Sequence, residues 1–181
     1  MKLKRILALA GILILMAISG CGSLEESVAE AKKVVPGDWE VIHTQEVDKH
    51  STVVFYINND ELGAGLFQKE TFGWNWLGSG LGPLVTHPEG LLWRYSDLGS
   101  KTTKCYVYYG LVQNPDIDKI EVKTTWGESA KAEITQSGDY RLWYAFISRP
   151  QVPSVDADII GYSSSGAELY KFSQPKQGAT K

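Results

Sequence analysis

The chain has 181 residues, of which 43% are hydrophobic and 22% charged, and a net charge of −3. That length suits one domain with a core large enough to fold unaided, and two cysteines, Cys21 and Cys105, exclude a disulfide-dense scaffold. The acidic balance lacks the basic patches that phosphate backbones require, so nucleic acid is not an expected partner.

The chain opens on Lys2, Lys4 and Arg5, followed by an uncharged apolar run from Ile6 to Ile18. A bilayer-spanning helix needs roughly 20 apolar residues, so this run is too short to cross and has the layout of an export signal. Ile18-Ser19-Gly20-Cys21 then resembles the lipobox of bacterial lipoproteins. Ile18 stands where leucine is commonest in that motif. The resemblance implies that residues 1–20 are a signal peptide and that the Cys21 thiol receives a diacylglycerol before cleavage ahead of it. Two acyl chains give stable anchoring where one is marginal. The implied location is the extracytoplasmic face of the cell membrane, with the membrane itself a partner through lipidated Cys21. Removing Lys2, Lys4 and Arg5 would leave the exported part more acidic than the whole.

Residues 21–38 read as the anchor and a short helical spacer. Ser23-Leu24-Glu25-Glu26 fits a capping box. Leu24, Val28, Ala31 and Val35 form one apolar stripe, Lys32 and Lys33 suit the C-terminal end of the dipole, and Pro36-Gly37 stops the helix. An isolated helix of this length is marginal in water, so it is expected to dock, on the domain or on the membrane surface, the alternative being a frayed spacer.

From Trp39 to Phe172 the sequence reads as strands. "STVVFYI" (51–57) is rich in β-branched and aromatic residues and ends in the turn residues "NND". "KCYVYYGLV" (104–112) places Cys105, Val107 and Tyr109 on one face and Tyr106 and Tyr108 on the other. "DKIEVKT" (118–124) alternates, with Ile120 and Val122 inward, and "KAEIT" (131–135) continues the pattern. "YRLWYAFI" (140–147) is apolar on both faces, as a central strand is. "DADIIGYSSSGAELYKF" reads as a hairpin with Ser165-Gly166 at its corner, and residues 173–181 as a loose polar tail. Turn signals recur at intervals of roughly eight to twelve residues, which predicts an all-β antiparallel sandwich over 39–172. That final hairpin resembles those of immunoglobulin-like and fibronectin-like extracellular modules. In layout the chain is similar to small β-rich lipoproteins of bacterial envelopes. The likeness implies a fold and a location and carries over no functional residue beyond Cys21.

The stretch "FGWNWLGSGLGP" (72–83) raises the functional question. Trp74 and Trp76, at i and i+2 of a strand, share a side. Facing the core they are packing anchors. Facing water they are a flat apolar shelf for stacking sugars or capping a peptide, with Gly78, Gly80 and Gly82 as its rim. Trp93 is a third candidate for such a surface. The glycines lack the helix and βαβ setting of a nucleotide-binding loop, and no cofactor is expected.

His43, His50 and His87 lack metal-site spacing. "GYSSSG" (161–166) is not a nucleophile elbow, and Cys105 in a strand reads as a buried, inert thiol. Asp116 with Asp118, and Asp156 with Asp158, have i, i+2 spacing that could contribute to a calcium site or a hydrolytic carboxylate pair, but solvated strand ends are the plainer reading. The expected function is therefore a non-enzymatic binding module for an envelope glycan or protein. The alternative is a hydrolase of an envelope polymer acting through an Asp/Glu pair.

Overall fold

A computed structural model describes residues 22–84, 90–148 and 156–173. The lipobox cysteine Cys21, the signal run 1–20, His87 and the tail beyond 173 lie outside the described residues. Helix α1 (Leu24–Val34) precedes β1 (Trp39–Asp48), β2 (Ser51–Asn58), β3 (Glu61–Glu70) and β4 (Gly73–Gly80). These strands pair in chain order as one antiparallel sheet. β5 (Leu91–Gly99), β6 (Lys104–Val112), β9 (Glu133–Ser137) and β10 (Tyr140–Ile147) form a second sheet in the order β5-β6-β10-β9. β7 (Lys119–Thr124), β8 (Ser129–Lys131), β11 (Ala157–Tyr162) and β12 (Glu168–Phe172) form a third, ordered β12-β11-β7-β8.

The fold is the expected all-β antiparallel sandwich with a short N-terminal helix, extended to three stacked sheets. Side-chain alternation builds the layers. Val53, Phe55 and Ile57 of β2 meet Val107 and Tyr109 of β6 and Leu142 and Tyr144 of β10 in a core between the first and second sheets. Trp143, Ala145 and Ile147, from the other face of β10, meet Val122 and Ile159 in a core between the second and third. The second sheet is thus covered on both sides, which is why β10 has no polar face. Val54 and Tyr56 of β2 point the other way, into a smaller core under α1.

Local chemistry matches these elements. The Ser23 hydroxyl accepts from the Glu26 amide at 3.2 Å, and Glu26 Oε2 accepts from the Ser23 amide at 3.0 Å, closing the capping box. Asn59 and Asp60 take φ of 50° and 66° in the two-residue turn between β2 and β3, a conformation these residue types tolerate. β3 carries Gly63 because the Tyr56 ring lies flat across it: a Cβ there would stand 2.4 Å from Tyr56 Cζ. The expected strand at 131–135 is divided. β8 ends at Lys131 in the third sheet and β9 begins at Glu133 in the second, while the Ala132 amide bonds Ile120 O at 2.9 Å as the chain changes layer.

Two tyrosines latch the first sandwich. Tyr109 Oη donates to the Gly80 carbonyl at 3.1 Å. At the opposite edge the Tyr144 hydroxyl lies 2.7 Å from both Gln45 Oε1 and Glu133 Oε2, with His43 Nε2 at 3.3 Å.

Candidate binding groove

Trp74 and Trp76 lie on β4, at the edge of the first sheet, and both point to the face covered by α1. The helix sits alongside this edge because Val28 and Ala31 are buried against the sheet and Ser27 Oγ donates to the Trp74 carbonyl at 2.7 Å. The two tryptophans are consequently half-buried: α1 covers part of each ring and leaves part open. Between helix and strand runs a groove of about 270 Å³. Ser27, Glu30, Ala31 and Val34 form its helical wall, and Trp74, Asn75 and Trp76 form the other. Val34, at the helix end, is 66% exposed.

The groove combines aromatic surface with a few polar groups at its rim. Asn75 Nδ2 donates to Glu70 Oε1 at 3.1 Å, and Glu30 pairs with Lys33 at 2.5 Å, both in solvent and both free to exchange partners. Trp76 Nε1 is buried on the sheet side, close to Gly65, and has no hydrogen-bond partner. Trp93 lies elsewhere. It is 6% exposed between the second and third sheets, and its indole donates to the Tyr170 hydroxyl at 3.1 Å. It packs the core and shares no surface with the groove.

Spacing alone did not reveal Ser27, Asn75 or Val34 as groove residues. Alternation sets Asn75 on the opposite side from both tryptophans, and it borders the groove at the edge of the sheet, where β4 is the last strand. Ser27 and Val34 became relevant only through the side on which α1 docks.

The other sequence candidates are scattered. His50 is exposed at the β1–β2 turn, and His43 stacks on Phe55 and Tyr144. Among the described residues no cluster of three His, Cys, Asp or Glu side chains is placed to hold a metal ion. Ser163 Oγ accepts from the Ala167 amide at 3.1 Å and so serves the β11–β12 turn. Asp118 and Glu121 share a hollow of about 530 Å³ with Lys131 and Tyr162. Glu121 accepts from Ser129 Oγ at 2.5 Å, from Lys123 Nζ at 3.1 Å and from the Tyr162 hydroxyl at 3.3 Å. The Ser129 hydroxyl above all holds its carboxyl below the ordinary range, so it is ionised at neutral pH and poorly suited to donate a proton.

Cys105 is 6% exposed, and burial, aided by Asp48 and Asp97, pushes its thiol up to about 12. At pH 8 roughly one such thiol in 10⁴ is ionised, and the thiolate is the reactive form. Cys105 in the native protein should therefore resist Ellman's reagent and titrate only after denaturant is added. Immediate native reaction would show that its strand is open to solvent.

No protein-family model matches the chain, and comparison with curated proteins and with solved structures finds no match, so the geometry of the groove is what a functional reading has to stand on.

Proposed function

We propose that this protein is an extracytoplasmic lipoprotein, tethered to the cell membrane through Cys21, that acts as a non-enzymatic binding module for an envelope glycan or protein. Its recognition surface is the groove between α1 and β4. The observation that carries this reading is the pair Trp74 and Trp76, part-exposed side by side with Asn75, Ser27 and Glu30 at their rim. Aromatic rings supply large contact area at little entropic cost, and the polar rim supplies direction. The hydrolase alternative is the weaker one, because Glu121, which lines the same hollow as Asp118, is already occupied by three donors.

The test is a tryptophan-fluorescence titration of the full lipidated protein with soluble peptidoglycan fragments and, separately, with peptides extracted from the envelope. A saturable shift is expected with one of them. Trp76→Ala should abolish it at a stability cost of about 2 kcal/mol, since the ring is only half covered. Asn75→Ala, at an exposed site, should weaken binding at least severalfold with the melting temperature unchanged. A shift that survives Trp76→Ala, or no saturable change with any probe, would overturn the groove as the binding surface.

A further inference from the structure

The β3–β4 turn carries Phe72, whose ring is 80% exposed, the most exposed large apolar side chain among the described residues. Gly22 is held against this turn. Its amide donates to the Phe72 carbonyl at 3.4 Å, and Gly73, at φ 136°, approaches so closely that a Cβ there would stand 3.1 Å from the Gly22 nitrogen. Gly22 is covalently bonded to Cys21, and consecutive Cα atoms are about 3.8 Å apart, so a lipid on that cysteine would be attached within one residue of this contact. Gly22, the residue that follows Cys21 in sequence, and the turn that carries the exposed phenyl ring thus lie side by side.

We infer that this end is a membrane-contacting face in which Phe72 inserts into the interfacial region of the bilayer and fixes how the sandwich is oriented upon it. The inference rests on the lipoprotein reading of Cys21. Acyl chains on Cys21 would provide residence at the membrane, and tethering makes the Phe72 contact intramolecular, so one ring suffices to set orientation where it could not recruit a free protein. Docking of α1 removes the slack a free spacer would introduce, because Ser27 and the helix stripe hold the N-terminal segment on β4. Charged side chains of both signs are exposed toward this end: Glu25 and Glu26 on the first turn of α1, Lys69 and Glu70 at the end of β3, and Asp48 and Lys49 at the β1–β2 turn, whose His50 carbonyl accepts from the Lys69 amide at 2.7 Å. With both signs present, the contact rests on the apolar ring and should gain nothing from an anionic surface. Trp74 follows Phe72 by two residues, about 7 Å along a strand, so the groove would open at the bilayer surface.

The experiment uses the full-length lipidated chain and its Phe72→Trp variant in phosphatidylcholine vesicles with acyl chains brominated near the glycerol end. Mass spectrometry reads the adduct on Cys21. The variant should show an added emission component that bromine quenches and that wild type lacks. That component should be no larger when phosphatidylglycerol is mixed in. A Cys21 adduct with no added quenching would overturn membrane insertion by Phe72 and leave the lipoprotein reading intact. Unmodified Cys21 would overturn both. Phe72 is too exposed for the substitution to disturb the fold, and matching melting curves for the two proteins check this.

Discussion

Gly110→Ala is expected to abolish the folded state. A Cβ at that position would lie 1.8 Å from the Leu92 carbonyl oxygen and 2.7 Å from Trp93 Cα, all backbone of the neighbouring strand β5. No side-chain rotamer can relieve a collision with backbone. The alternative is to spread β5 from β6, strands that the ladder keeps about 4.8 Å apart. Spreading them also breaks the bond from Trp143 Nε1 to Leu92 O, 3.0 Å, at the centre of the second core. Trp143 has no exposure, and Gly110 pairs directly with it and with Trp93. Ordinary overpacking costs about 1–3 kcal/mol. Here the backbone collision and the lost core bond add to it, so the loss should exceed about 4 kcal/mol, much of a typical domain's stability. Circular dichroism and soluble yield read the result. A cooperative melt within a few degrees of wild type would mean that β5 and β6 are not paired as described.

Trp39→Ala should detach the helix. Trp39 is 5% exposed and stacks on Tyr56 with ring centroids 3.9 Å apart and planes 1° from parallel. Its indole donates to the Val35 carbonyl at 3.1 Å, and its own carbonyl accepts from Lys32 Nζ at 2.8 Å. Truncation empties the small core beneath α1 and breaks the indole bond to the helix C-terminus, at a cost of about 3–5 kcal/mol. For a domain of this size that lowers the melting temperature by roughly 10 °C. An 11-residue helix without tertiary support is marginal in water, so helical ellipticity should fall as well. The groove would lose one wall, and ligand-induced fluorescence change should vanish although Trp39 does not line it. Trp39→Phe keeps an aromatic stack and should lie between the two. An unchanged helical signal with a loss under about 1 kcal/mol would show that α1 is held by something other than this ring.

The sequence made some of this legible and hid the rest for identifiable reasons. The capping box at Ser23 and Glu26 is local chemistry and was readable residue by residue. Two-sided strands such as β10 announced burial on both faces, but period-2 alternation says which residues share a face and never which sheet lies opposite. The third sheet, and the change of layer at Ala132, are therefore invisible in one dimension. β3 was obscured by Gly63 and Gly65, residues that weaken a strand and are retained because rings pack over them. For Trp74 and Trp76 the spacing fixed a common side, and only the docking of α1 decided how much of each ring water reaches. Trp93 shows the same limit from the other direction: a strand tryptophan reads alike whether its face is solvated or, as here, roofed by β12 and Tyr170.

The central claim, an exported domain held at the membrane by a lipid on Cys21, is tested most directly by the intact mass of the chain extracted from the membrane fraction. The account predicts a mature protein whose first residue is Cys21 and which carries the added mass of a diacylglycerol, an adduct absent from Cys21→Ser. Recovery of the chain in the cytosol, with Met1 in place and Cys21 unmodified, would contradict it.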